Sequence, residues 1–257
     1  MIRIENLRAG YDGVERLHGI SCGLPAGKLT ALVGPNGCGK STLMRCMAGV
    51  LKPMDGKLFI GGSDYAALSP RELARMTAYM PQSRPAPEIS VRQLTAHGRY
   101  PHLKWGRSLS REDHGIIEDS MQRAGITALA DRNVSALSGG ERQRAYLSMM
   151  LAQQAQILLL DEPTTYLDPG SQFELMDMLC ALRDEGRTVV AVLHDLVLAL
   201  EYADNIALMQ AGTLVQLGAP EEIHASGRLS DVFGVDVART PEGKYVFSRK
   251  RRENHEK

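Results

Sequence analysis

One stretch restricts this chain more than any other. Gly34-Pro35-Asn36-Gly37-Cys38-Gly39-Lys40-Ser41-Thr42 satisfies the pattern G-x-x-x-x-G-K-[ST] at every position. Residues 29–33 (LTALV) ahead of it read as a buried strand, and residues 40–48 behind it read as a helix. The glycines let successive backbone N–H groups converge on one centre, and the positive end of the helix adds to their field. Such a nest suits a polyphosphate. Lys40 is placed to reach the β- and γ-phosphates, and the Ser41 hydroxyl to ligate Mg²⁺. Cys38 reads as a small filler within the loop. A second reading gives it a thiol pKa depressed by the helix start, so that alkylation would block nucleotide access.

A second feature gives the nest a reaction. Residues 157–160 (ILLL) run directly into Asp161-Glu162-Pro163, which puts two carboxylates at the C-terminal edge of a strand. Ligands of open α/β sheets bind at that edge. Two carboxylates divide two tasks: Asp161 holds Mg²⁺, directly or through water, while Glu162 polarises an attacking water and accepts its proton. A strand ending in acids is common by itself. Its weight comes from the phosphate nest about 120 residues earlier.

The remaining pattern is that of an α/β protein with a mainly parallel sheet. Residues 188–193 (TVVAVL) form another buried strand, with a helix over 170–183 before it, and residues 1–27 alternate as antiparallel strands of an edge sheet. Residues 85–135, opened by Pro85, Pro87 and Pro101, show helical stretches at 91–98 and 111–124 and no strand pattern, so they are expected to form a helical subdomain inserted in the α/β core. Residues 205–217 read as a hairpin turning near Gln210-Ala211-Gly212, and 249–257 as a frayed charged tail; 205–257 then form a hairpin and tail closing a single domain over 1–257. With 44% hydrophobic residues the chain can bury a core, and 30 basic against 30 acidic side chains argue against nucleic acid as a partner. Cys22, Cys38, Cys46 and Cys180 have no metal-ligand spacing and read as reduced thiols. There is no signal-peptide core, and no apolar run approaches the length of about 18–20 residues that a spanning helix needs.

Leu137-Ser138-Gly139-Gly140-Glu141, followed by Arg142-Gln143-Arg144, narrows the field. Ser138-x-x-Glu141 is a capping box, and the two glycines leave backbone N–H groups open at the positive end of the helix that starts there. The stretch resembles the signature motif of ABC-transporter nucleotide-binding subunits and stands just ahead of the carboxylate strand, as in that family. The resemblance covers nearly the whole chain. It implies an ATPase working as a head-to-tail pair: Ser138, Gly139 and Gly140 of one copy contact the γ-phosphate of ATP held by the loop of the other. It implies further that Tyr11, 29 residues before Lys40, stacks on adenine. Gln82, in Tyr79-Met80-Pro81-Gln82, resembles the glutamine that senses Mg²⁺ and the attacking water. The resemblance also implies that Asp168 lies at the dimer contact, and His194 resembles the switch histidine near the γ-phosphate. Glu162, His194, Gln82 and Lys40 are thus the catalytic group. Tyr166 is bulkier than the residue many family members carry there.

Within the family, His97-Gly98-Arg99-Tyr100-Pro101-His102 and DEPTTYLD at 161–168 resemble bacterial importers of iron–siderophore complexes, with haem and cobalamin importers as near relatives. That likeness implies a membrane permease dimer whose coupling helices rest on the helical subdomain, a substrate-binding protein, and a peripheral place on the cytoplasmic face of the inner membrane. As residues alone, Arg99, Tyr100 and His102 read equally as a solvated loop. Chromosome-maintenance ATPases of the same superfamily separate the halves of their site by a long coiled coil. Here Gln82 and Leu137 are only 55 positions apart, without sustained heptads. Translation-associated relatives carry two cassettes, and this chain has one. An exporter is disfavoured by a chain that carries no membrane segment of its own, and Glu162 and His194 argue against a regulator that binds nucleotide without turnover.

Overall fold

The computed structural model describes residues 1–83, 85–103 and 108–250. The N-terminal alternation gives the expected hairpin: β1 (Ile2–Tyr11) turns through Asp12 and Gly13 into β2 (Val14–Leu24). Both turn residues take positive φ, 51° and 77°, the backbone that matches the twist of a two-residue hairpin. β3 (Leu29–Val33) and α1 (Lys40–Met47) come after it, then β4 (Asp55–Ile60), β5 (Ser63–Asp64), α2 (Pro70–Met76) and β6 (Thr77–Met80). The expectations from sequence do not include β4, β5, α2 or β6, although Ser69-Pro70-Arg71-Glu72 carries the capping pattern that starts α2. β4 and β5 complete an antiparallel sheet of order β2-β1-β4-β5.

Helices α3 (Val91–His97), α4 (Arg111–Arg123) and α5 (Gly139–Ala152) come next. Each starts on a serine whose hydroxyl accepts an N–H from the third helical residue while that residue's side chain binds back: Ser90 with Gln93, Ser110 with Asp113, Ser138 with Glu141. The chain continues through β7 (Ile157–Asp161), α6 (Pro169–Asp184), β8 (Thr188–Val192), α7 (Leu196–Tyr202), β9 (Asn205–Gln210) and β10 (Thr213–Gly218). The main sheet has order β10-β9-β3-β8-β7-β6, parallel throughout except for the β9–β10 hairpin. That hairpin turns at Ala211-Gly212 as expected. Past the hairpin the chain is folded rather than a tail. α8 (Pro220–Ala225), α9 (Arg228–Phe233) and the pair β11 (Val235–Arg239) and β12 (Tyr245–Arg249) pack back on the core, with Ile223, Leu229 and Tyr245 buried. These elements are short and lack clean periodicity, which hid them. The charge run beyond them, 251–257, lies outside the described residues.

Strands buried on both faces explain the two cores. In β7, Leu158 and Leu160 face the helices while Ile157 and Leu159 face α1 and the antiparallel sheet; β8 divides Val189 and Ala191 from Val190 and Val192 in the same way. Helix α1 is therefore held between two sheets, with Leu43, Met44 and Met47 buried.

The stretch 97–102 corrects one of its two readings. Arg99 is only 6% exposed. Its Nε donates to Asp113 Oδ1 at 2.8 Å, and its Nη1 donates to the Ala152 carbonyl at 2.8 Å and to Gln154 Oε1 at 2.9 Å. His102 Nε2 lies 2.9 Å from the Gln153 carbonyl. Arg99 thus fastens α3 to the start of α4 and the end of α5; Tyr100, at 57% exposure, is the part that faces solvent. Hydrogen bonds from Ser110, then Arg99, hold the Asp113 carboxyl down to about 2.

Removing one member of a buried pair strands the other. Arg99→Ala should lower stability by about 3–5 kcal/mol in chemical denaturation. Because Asp113 has a lowered folded pKa, its contribution is complete above the ordinary carboxylate range and is lost as pH falls toward 2. The wild-type should therefore lose in acid the part of its advantage that comes from the Arg99–Asp113 pair, while the part from Ala152 and Gln154 persists, and a gap constant down to that pH would contradict the assignment.

Candidate functional site

Glycine at two loop positions is a steric requirement. Gly34 has φ 155°, and a Cβ there would sit 2.2 Å from the Met209 carbonyl oxygen; Gly39 has φ 103°, and a Cβ would sit 2.7 Å from Leu17 Cδ2. The loop is thus pressed between β9 and β2. Lys40 is buried, and its Nζ donates to the carbonyls of Gly34 at 2.7 Å and Pro35 at 3.0 Å.

Strand register assembles the rest. Met80 pairs with Leu160 across β6–β7, so Gln82 and Glu162, each two residues on, emerge side by side. Asp161 pairs with Val192 across β7–β8, which brings His194 to the other flank of Glu162. Gln82 Nε2 donates to Glu162 Oε2 at 2.8 Å, His194 Nε2 lies 2.7 Å from Glu162 Oε1, and Thr165 Oγ1 donates to Glu162 Oε2 at 3.3 Å. Glu162 has φ 54°, so the chain leaves β7 through a left-handed residue that aims the carboxylate along the sheet edge.

Asp161 is fully buried beneath. Its Oδ1 accepts from Ser41 Oγ at 3.1 Å, and its Oδ2 from Tyr79 Oη at 3.3 Å. Burial raises its pKa; the Ser41 hydrogen bond offsets part of this and the charge of Glu162 adds to it. Ser41, which borders the cleft, and the Asp161 carboxylate behind it supply the oxygen donors that Mg²⁺ takes when it shares phosphates, Asp161 from the second layer, so these residues fit that ion.

A cleft of about 550 Å³ is lined by Tyr11, Asn36, Gly37, Gly39, Lys40, Ser41, Thr42, Gln82, Glu162 and His194. Arg16 lines it too, although no sequence motif points to that residue; only the folded hairpin brings it there. Gly34 and Pro35 are not among its lining residues; their carbonyls hold Lys40 Nζ. Cys38 is buried, and that burial raises its thiol pKa against the opposing pull of Lys40, so the depressed-thiol reading is corrected.

The signature residues lie elsewhere. Gly139 borders a neighbouring cleft of about 430 Å³ together with Gln82, Ser83, Arg142 and Tyr166. Ser138 is engaged in capping α5, Gly140 is the second helical residue, and Asp168 caps α6 by accepting from Ser171 N at 3.1 Å. Hydrogen bonds from Ser171 lower the Asp168 pKa. Gln82 is shared by both clefts. Tyr166 is 84% exposed and has φ 68°.

A model of the ABC transporter family matches residues 17–165. The chain is 41% identical to the achromobactin transport ATP-binding protein CbrD of Dickeya dadantii, over 94% of this chain and 90% of that one. It is 40% identical to the ferric enterobactin transport ATP-binding protein FepC of Escherichia coli, over 91% and 87%. A solved dimeric structure of MJ0796, a bacterial ABC transporter cassette, matches with a TM-score of 0.77 at 25% identity, covering 86% of this chain and 99% of that chain.

Burial of Cys38 has a measurable consequence. Iodoacetamide at neutral pH should modify it at least about tenfold more slowly than a free thiol, as read by peptide mass spectrometry. Rapid labelling would restore the reactive-thiol reading.

Proposed function

This chain belongs to the ABC transporter family as an ATP-binding subunit, and from that premise we propose that it hydrolyses ATP between two of its own copies to energise import of a ferric siderophore. The observation that carries the reading is the cleft over the loop, where Lys40, Ser41, Gln82, Glu162 and His194 converge on one space. Entering phosphates displace the Gly34 and Pro35 carbonyls from Lys40 Nζ, exchanging two neutral acceptors for an anion. Tyr11 stacks on the base. Ser41, Asp161 and Gln82 would hold Mg²⁺, which would supply positive charge to offset that of the β- and γ-phosphates. Glu162 orients the water and accepts its proton, with Gln82 and His194 positioned on its two oxygens.

One copy leaves the nucleotide half-enclosed. Gly139 opens onto the second cleft, not the first, so Ser138, Gly139 and Gly140 are free to cover the nucleotide of a facing copy, with Asp168 near the same contact. The helical subdomain over 85–135 receives a membrane permease, served by a substrate-binding protein, at the cytoplasmic face. Among the described residues no helix is long and apolar enough to cross a membrane. The siderophore assignment rests on the relatives: achromobactin and ferric enterobactin are what the two proteins above are named for.

Glu162→Gln should slow phosphate release by about 10²–10⁴ while ATP still binds and a dimer persists in size-exclusion chromatography with Mg²⁺. Near-normal turnover would remove Glu162 from its role. Lys40→Ala should weaken ATP binding itself in equilibrium dialysis; unchanged affinity would count against the loop.

A further inference from the structure

Arg16 borders the cleft without belonging to any motif, and its place in β2 is unusual. The β1–β2 register steps from Ala9 opposite Leu17 to Gly10 opposite Glu15, so Arg16 is the extra residue of a bulge. A bulge leaves its residue outside the ladder and re-aims the side chain. Leu17 is buried beside Gly39 of the phosphate loop, whereas Arg16 is exposed and lines the cleft. Its backbone is confined: a Cβ on Gly39 would sit 3.2 Å from the Arg16 carbonyl oxygen, and one on Gly212 would sit 2.5 Å from it. The Gly212 carbonyl accepts from His18 N at 2.9 Å, and Gly212 N donates to the Cys38 carbonyl at 3.0 Å. β2, the β9–β10 turn and the phosphate loop are thereby fastened together around this residue. The neighbouring acid is engaged elsewhere, since Glu15 pairs with Arg8 at 3.2 Å and lies 3.3 Å from His18 Nδ1. Among the described residues no carboxylate pairs with Arg16.

We propose that Arg16 is a further nucleotide-binding residue, whose guanidinium takes the α-phosphate between the base held by Tyr11 and the β- and γ-phosphates held by Lys40. The proposal rests on the ATP-site reading above and adds a recognition element to it. The order of the cleft follows the order of the nucleotide. Tyr11 ends β1 at the hairpin, Arg16 follows in β2 beside Gly39, and Lys40 and Ser41 start α1. Ser41 in turn reaches Asp161, the neighbour of Glu162. A guanidinium without a counter-ion, on a backbone fixed against the loop, meets a phosphate with two donors in one plane and little reorganisation. The α-phosphate is common to ATP and ADP and is not the reacting centre. A contact there is uniform binding: it stabilises substrate, transition state and product alike, and so acts on affinity rather than on the chemical step. Because the side chain is exposed, salt screens the contact.

The test measures binding of ATP, ADP and adenosine to the full chain by isothermal titration calorimetry, in EDTA to prevent turnover. In Arg16→Gln and in Arg16→Met, ATP and ADP should each bind about 3–10-fold more weakly, by the same factor, and the loss should shrink at high salt. Adenosine should bind as in wild-type, which shows the base site is folded. No loss for either nucleotide overturns the assignment. Loss for ATP alone would move the guanidinium to the γ-phosphate, and an equal loss for adenosine would move it to the base; either result overturns the assignment too. Lys40→Ala separates the two levels. If it weakens ATP binding while Arg16→Gln does not, the α-phosphate contact alone fails; if it leaves ATP affinity intact, the ATP-site reading fails and this contact with it.

Discussion

Parallel strand register is what the cleft depends on. Gln82, Glu162 and His194 come from positions separated by as much as 112 residues in the chain, taking 194 less 82. They meet because β6, β7 and β8 are aligned so that Met80 opposes Leu160 and Asp161 opposes Val192. A slip of one residue in either pairing would move a side chain to the opposite face of the sheet. The register is enforced by burial on both faces: β7 and β8 have no exposed residue, and each alternate position belongs to a different core. The packing of Leu158, Leu159, Val190 and Val192 is therefore part of the catalytic geometry, although none of these residues borders the cleft.

The cleft satisfies its own polar groups. Lys40 rests on loop carbonyls, Ser41 on Asp161, Gln82 on Glu162, and His194 on Glu162. Each is a group that nucleotide, cation or water would engage, so binding exchanges one set of hydrogen bonds for another and avoids leaving buried charge unpaired. The carboxylate of Glu162 is held between Gln82 and His194, which fixes the direction in which it faces the cleft.

Motifs with local rules were legible from the sequence alone. The phosphate loop, the capping box at Ser138 and the hairpin at Ala211-Gly212 each depend on residues within a few positions of one another, and the fully buried strands are short apolar runs. The antiparallel strand β4, with its exposed start, and the late elements from α8 to β12 lack such periodicity; they are held by contacts distant in sequence. The same distinction runs through the site. Lys40, Ser41, Asp161 and Glu162 sit in recognisable patterns, whereas Arg16 borders the cleft through hairpin geometry and Tyr79 reaches Asp161 through sheet pairing, which no local pattern encodes.

The stretch 97–102 shows how a family likeness and a physical role can coincide in one set of residues. Arg99 and His102 are spent on holding α3, α4 and α5 together, through Asp113, Ala152, Gln153 and Gln154. They cannot meet a partner without loosening that junction. Tyr100 is different: its ring is exposed and stacks on His97 at 4.8 Å, on the outer side of a junction that Arg71 and Arg75 brace through the Pro101 carbonyl. An exposed aromatic on a rigid base can be pressed on without yielding. Force applied at Tyr100 would travel through the Arg99–Asp113 pair into α4 and through Ala152 into α5, whose other end carries Ser138, Gly139 and Gly140. Helix α5 thus runs as one rod of 14 residues from the Arg99 junction at Ala152 to Ser138, Gly139 and Gly140 at its start.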